Sequence, residues 1–160
     1  MNTTTIFLSV ILALLPISEL RGAIPFAVLR GMDILPAALI GTAVNALVPL
    51  LAFLFLATFH RFFYKFSWYK GFFDRFVEKA RVKVHAQVEK YGYWGLLVFV
   101  AIPLPVTGAW TGTLGAWILG MDKKKASLAI VGGVIVAGVI VTILVALMGA
   151  GAKTIFFKSI

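Results

Sequence analysis

Apolar and polar positions fall in long blocks along this chain. Residues 5–15 are apolar, the stretch PISELRGAIP interrupts at 16–25, and residues 23–32 are mostly apolar again. Residues 34–59 form one unbroken apolar run, long enough to span about 30 Å of hydrocarbon with tilt to spare. Pro49 inside it predicts a kink, which membrane helices tolerate. Residues 94–121 are apolar but broken by Pro103, Pro105, Gly108, Gly112 and Gly115. Residues 126–149 are a second continuous run, in which Gly132, Gly133 and Gly138 predict close approach of a neighbouring backbone.

Between these blocks, residues 60–93 change character. Arg61, Lys65, Lys70, Arg75, Lys79, Arg81, Lys83 and Lys90 crowd into them. Phe62, Phe66, Tyr69, Phe73, Val77, Ala80, Val84 and Val88 recur at three- and four-residue spacing. An apolar stripe with a basic opposite face predicts an interfacial amphipathic helix. The bland alternative is a solvated loop with aromatic anchors.

A shift of 89 residues places Leu15-Pro16-Ile17-Ser18 on Leu104-Pro105-Val106-Thr107. Without a gap, the same shift places Gly31-Met32-Asp33 on Gly120-Met121-Asp122. The common offset indicates an internal repeat: a broken apolar segment, a Gly-Met-Asp turn and one full-length helix. The predicted organisation is repeat 1 at 5–59, an amphipathic linker at 60–93 and repeat 2 at 94–150, in a single membrane domain spanning 1–160.

Composition sets the class. Of 160 residues, 61% are hydrophobic and 13% charged, with mean hydropathy +1.01. A soluble domain is roughly half apolar and about a quarter charged, so the chain reads as an integral membrane protein. The N-terminus lacks a positively charged start and a small-residue cleavage site, so it is expected to be retained rather than removed as a signal peptide. The net charge of +9 sits in a block between apolar segments, which suits a cytoplasmic loop beside anionic headgroups better than nucleic acid. With no cysteine, disulfides, thiolate catalysis and Cys-ligated zinc are excluded. His60 and His85 are far apart and read as surface residues rather than metal ligands.

The runs flanking each break are about 10–12 residues, nearer half a bilayer than a whole one. If both broken segments are re-entrant hairpins, the basic block and Lys123-Lys124-Lys125 share one side, which the positive-inside rule makes the cytoplasm. Arg30, Lys153 and Lys158 then fall outside. Each half crosses the membrane once, so the fold expected is all-α with two inverted repeats. Such repeats place substrate and ion sites near the midplane where broken helices meet, and the two breaks are expected to face each other there.

That placement gives SELRG a purpose, because intramembrane charge is costly and marks function by default. Glu19 and Arg21 are two apart, do not share a helical face, and would converge in a non-helical turn. Burial raises a carboxylate's pKa and a neighbouring guanidinium lowers it, so a balanced Glu19 can exchange a proton with substrate binding. Arg21 presents five donors that suit a phosphate or carboxylate. Gly22 and Pro25 are expected to permit the turn and restart a helix. The rival reading of the pair is a self-neutralising clasp. The second break has no ionisable side chain; Thr107, Thr111 and Thr113 offer hydroxyls to the backbone groups that Pro103 and Pro105 release. Trp110 walls a ligand or packs on a helix. Thr42 and Asn45 share a face and are expected to point toward the breaks. No enzyme signature and no cofactor motif is present in the sequence.

PISELRGAIP together with AIPLPVTGAWTG resembles the signature of the small multidrug export family over nearly the whole chain. That family is similar to the wider DedA-like group, whose members carry two facing re-entrant hairpins and include candidate lipid translocases. The resemblance implies that Glu19 corresponds to the acidic residue of the first hairpin. The second hairpin departs from the DedA pattern, with Trp110 and Leu119 where arginines are expected, leaving Arg21 and Arg30 in the first half as the hairpin arginines.

The expectation is therefore a multi-pass transporter of the cytoplasmic membrane that moves a lipid-linked or amphipathic substrate with proton coupling. Its rivals are an exporter of cationic drugs and a non-transporting, membrane-organising or lipid-binding protein. The expected substrate- and ion-binding residues are Glu19, Arg21, Gly22, Pro25, Arg30, Asn45, Pro103, Pro105, Thr107 and Trp110. The partners expected are membrane lipids, the substrate, protons and, given the short chain, a second copy; nucleic acid is not expected.

Overall fold

The computed structural model describes residues 3–58, 65, 67–104 and 107–157. Seven helices and no strand occur among them: α1 (Thr3–Leu14), α2 (Glu19–Leu29), α3 (Ile34–Asn45), α4 (Val48–Thr58), α5 (Ser67–Ala101), α6 (Ala109–Ile118) and α7 (Lys123–Phe157). Two stretches are long and apolar enough to cross a membrane, Ile34–Thr58 and Lys123–Gly149. They match the two continuous apolar runs of the sequence. Ile34–Thr58 is interrupted by a turn at residues 46–47. Pro49 explains it: proline has no N–H to give the carbonyl of Asn45, and its ring crowds that group.

The helices sort into two compact units, Met1–Asn45 with Val136–Ile160, and Ala46–Ile135. Each unit takes part of both apolar spans. In the first unit α1, α2 and α3 pack on one another. Their shared core is built from small side chains, with Ala13, Ala23, Ala27 and Ala37 buried beside Leu20 and Ile24. At 12 and 11 residues, α1 and α2 are about 16–18 Å long, roughly half the hydrocarbon thickness. They form a helical hairpin.

In the second unit α6 packs on both α4 and α5. Seven of its ten residues are buried, among them Gly112, Thr113, Gly115 and Ala116. With most of its residues covered and small residues at its contacts, α6 is a core element of this unit. Helix α5 is not continuous: Gly92 adopts φ 57°, ψ −131°, a conformation that favours glycine, and separates the basic stretch from the apolar one. On the basic stretch Phe73 meets Trp117 of α6 edge-on, with ring centroids 6.4 Å apart, and Val84 is fully buried. These two members of the expected interfacial stripe thus pack on protein. Phe62 and Phe66 lie outside the described residues, as do the side chains of Tyr69, Val77 and Ala80.

The two Gly-Met-Asp turns are closed by the same bonds. After α2, the N–H of Gly31 donates to Val28 O and that of Met32 to Ala27 O, both at 3.0 Å. After α6, the N–H of Gly120 donates to Trp117 O at 3.2 Å and that of Met121 to Ala116 O at 2.9 Å. Both are Schellman closures with glycine in the left-handed region, φ 84° at Gly31 and 64° at Gly120. Every donor and acceptor of the second set stands 89 residues after its counterpart in the first.

Candidate functional site

The first break begins at Pro16. Helix α1 would continue if residue 16 could donate to the carbonyl of Leu12, but proline has no N–H. The hydroxyl of Ser18 donates to that carbonyl instead. The chain then re-enters helix at once: the N–H of Glu19 reaches Leu15 O and that of Gly22 reaches Ser18 O, both at 3.0 Å.

Glu19 is where this reversal is concentrated. Its φ is 49°, and no other non-glycine among the described residues has positive φ. The left-handed region costs an L-residue roughly 1–2 kcal/mol, and such strain gathers at functional positions. Glu19 is also only 5% exposed. Its carboxylate acts electrostatically on the half-buried guanidinium of Arg21. Residues two apart in a regular helix point to different faces, and the φ of Glu19 departs from that geometry at the position where the two charges interact.

The sequence places the turn at SELRG; the structure places it one step earlier, at residues 15–18, with Glu19, Arg21 and Gly22 already in α2. Gly22 consequently has a different job from the one expected. A Cβ on it would lie 2.7 Å from the Cβ of Ser18, so glycine is what allows Ser18 to fold back over the helix. Pro25 does not restart a helix either. It sits half-buried inside α2 and cannot donate to the carbonyl four residues back, that of Arg21.

Asn45, at the end of α3, is fully buried and its Nδ2 donates to Ala13 O at 2.9 Å. That carbonyl lies in the last turn of α1, where helical donors run out. Asn45 therefore ties α3 to the rim of the first break, and its Oδ1 is buried with no donor. The Oγ1 of Thr42 lies where a Cβ on Gly138 of α7 would fall. Arg30 is not brought to Glu19. It is exposed at the far end of α2, over the ring of Phe26 at 5.4 Å, about 16 Å along the helix axis from Glu19.

The second break spans the residues between α5 and α6. Pro103 is half-buried, and Pro105 lies outside the described residues. The hydroxyl of Thr107 lies 2.8 Å from both Ile102 O and Leu104 O and donates its single proton to one of them. Gly108 follows with φ 141° and opens α6. Thr113 instead donates to Ala109 O inside its own helix, and Thr111 is buried within α6. Trp110 is the half-buried second residue of α6.

Sequence reasoning passed over Ser18 as a working residue. Its signal was a hydroxyl two residues after a proline, and Thr107 follows Pro105 at the same spacing. Chemically, the first break offers a buried carboxylate, a guanidinium and a backbone poised away from regular helix; the second offers only backbone dipoles and hydroxyls. No group of three or more His, Asp or Glu that could hold a metal occurs among the described residues.

A family model described as "Putative small multi-drug export protein" matches residues 19–140. Searches of curated proteins and of solved structures return no significant match. The match does not by itself show a likeness to the DedA-like group. It opens at Glu19 itself, takes in both Gly-Met-Asp turns and reaches into α7. The chain belongs to the small multidrug export family.

Proposed function

We propose that this protein is a membrane transporter of an amphipathic or lipid-linked substrate, in which Glu19 exchanges a proton as substrate binds. The observation that carries the reading is Glu19: a carboxylate buried in an apolar chain, on a backbone conformation that costs energy to hold. Both features are unfavourable for stability alone, and intramembrane carboxylates of this kind mark ion and substrate pathways. The family's description supports export as the class of activity.

In this reading α1–α2 and the second broken segment are re-entrant hairpins of half-bilayer length. The recurrence of the same turn bonds after 89 residues supports a two-fold repeat. The distribution of lysine and arginine supports opposite orientation of the repeats, with residues 60–93 and Lys123–Lys125 in the cytoplasm. Arg21 would receive a phosphate or carboxylate on the substrate.

The family's description also favours a second reading, export of a cationic drug, for which Glu19 alone would supply the counter-charge. Flux by purified protein in liposomes separates the readings. The proposal expects movement of a fluorescent phosphate-bearing amphiphile, accelerated by a pH gradient and dependent on Arg21. Movement of a cationic dye with Arg21 replaced by Ala would favour the drug reading. Absence of flux for both would leave a lipid-binding or membrane-organising role.

A further inference from the structure

Outside the two breaks, the second unit carries a groove of about 680 Å³ between α4 and the first turns of α7. This volume lies in the range of ligand pockets, about 300–1,000 Å³. One wall is the stripe of α4 that contains Leu50 and Leu54; the other is the face of α7 that contains Leu128 and Val131. These positions recur at helical spacing, so each wall is one continuous helix face. The groove is open to the outside along its length, since Leu50, Leu54 and Leu128 are 67%, 59% and 73% exposed.

One end of the groove is chemically different from the rest. Lys123 and Lys124 line it there, both exposed, and no acidic residue joins them in the lining. The neighbouring Asp122 is turned to the helix start, where its Oδ1 accepts the N–H of Lys125 at 2.9 Å. These lysines open an apolar helix long enough to cross a membrane, which puts them at headgroup level when the helix is inserted. From Lys123 to Val131 the groove runs about 12 Å down that helix.

We propose that this groove holds one anionic glycerophospholipid, with an acyl chain between α4 and α7 and the phosphate on Lys123 and Lys124. A zwitterionic lipid would fill the apolar part equally well, because an acyl chain gains little by leaving one hydrocarbon surface for another. Discrimination therefore rests on the two lysines, and basic pockets between membrane helices are suited to anionic headgroups. The groove shares no residue with the Glu19 break and stands whether or not the protein transports anything.

The test is native mass spectrometry of the purified full-length protein with phosphatidylglycerol and phosphatidylcholine of the same acyl chains. Wild type should retain phosphatidylglycerol in preference to phosphatidylcholine. Lys123→Gln and Lys124→Gln should each weaken phosphatidylglycerol binding about fivefold and leave phosphatidylcholine unchanged. Lys125→Gln, beside them but outside the groove, should do much less. Leu128→Trp, which narrows the groove, should weaken both lipids. The proposal is overturned if Lys125→Gln acts as strongly as its neighbours, since that would be general surface charge. It is equally overturned if the wild type shows no preference between the two lipids.

Discussion

The hydroxyl of Ser18 donates to the carbonyl of Leu12, the group that Pro16 deprives of its helical donor. One polar side chain thereby closes a helix that proline opens, inside an apolar segment where an unmatched carbonyl is costly. Ser18→Ala should lower stability by about 1–3 kcal/mol, the penalty for a buried acceptor left unsatisfied. Denaturant or thermal unfolding in micelles measures it. Stability equal to wild type would mean that this carbonyl is satisfied by other means.

Gly22 is the partner of that arrangement. Gly22→Ala would put a methyl group 2.7 Å from the Cβ of Ser18 and force the two apart. We expect about 1–3 kcal/mol of destabilisation from overpacking. Ser18→Gly in the same chain should relieve part of it, because the clashing atom is gone. Additive losses in the double variant would contradict the assigned contact.

How much of this was legible in the sequence depends on whether the cause is local. The half-length segments, the two spans and the Gly-Met-Asp turns follow from apolar runs and from letters that recur at an offset of 89 residues. The exact start of α2 does not. Gly22 and Pro25 both look like turn formers, yet Gly22 is needed for a contact with Ser18 and Pro25 sits within helix. A glycine kept for close approach and one kept for its φ read alike until the neighbour is known. The bond from Asn45 to Ala13 is hidden for a similar reason, since it joins residues 32 apart in the chain.

Close approach is also the role of Gly133 in α7. A Cβ there would lie 2.6 Å from the carbonyl oxygen of Leu97, a backbone atom that cannot swing aside. Gly149 of the same helix has nothing within 4 Å. Gly133→Ala should therefore destabilise by about 1–3 kcal/mol or more, whereas Gly149→Ala should be neutral or slightly stabilising. Comparing the two melting temperatures tests this, and equal effects would contradict it.

The proposed inverted-repeat topology is open to labelling because the chain has no cysteine. Single substitutions at exposed positions, Asp33→Cys, Arg75→Cys and Lys124→Cys, would be probed with an impermeant thiol reagent. The re-entrant reading expects positions 75 and 124 to react from the cytoplasmic side and position 33 from the other. Reaction of position 124 from outside, with 75 protected there, would rule it out.

In the proposed function Glu19 couples substrate movement to protons, with Arg21 as its neighbour. Glu19→Gln preserves size and hydrogen-bonding capacity while removing the titratable charge. A purely structural pair, once broken, should cost roughly 3–5 kcal/mol and prevent folding; a coupling residue should leave a protein that inserts and melts normally. The direct measurement is flux by purified protein in liposomes, with and without a pH gradient, after a thermal-melt control. Glu19→Gln should fold and bind substrate, but its flux should no longer respond to the gradient. A Glu19→Gln protein with wild-type pH-driven flux would contradict it.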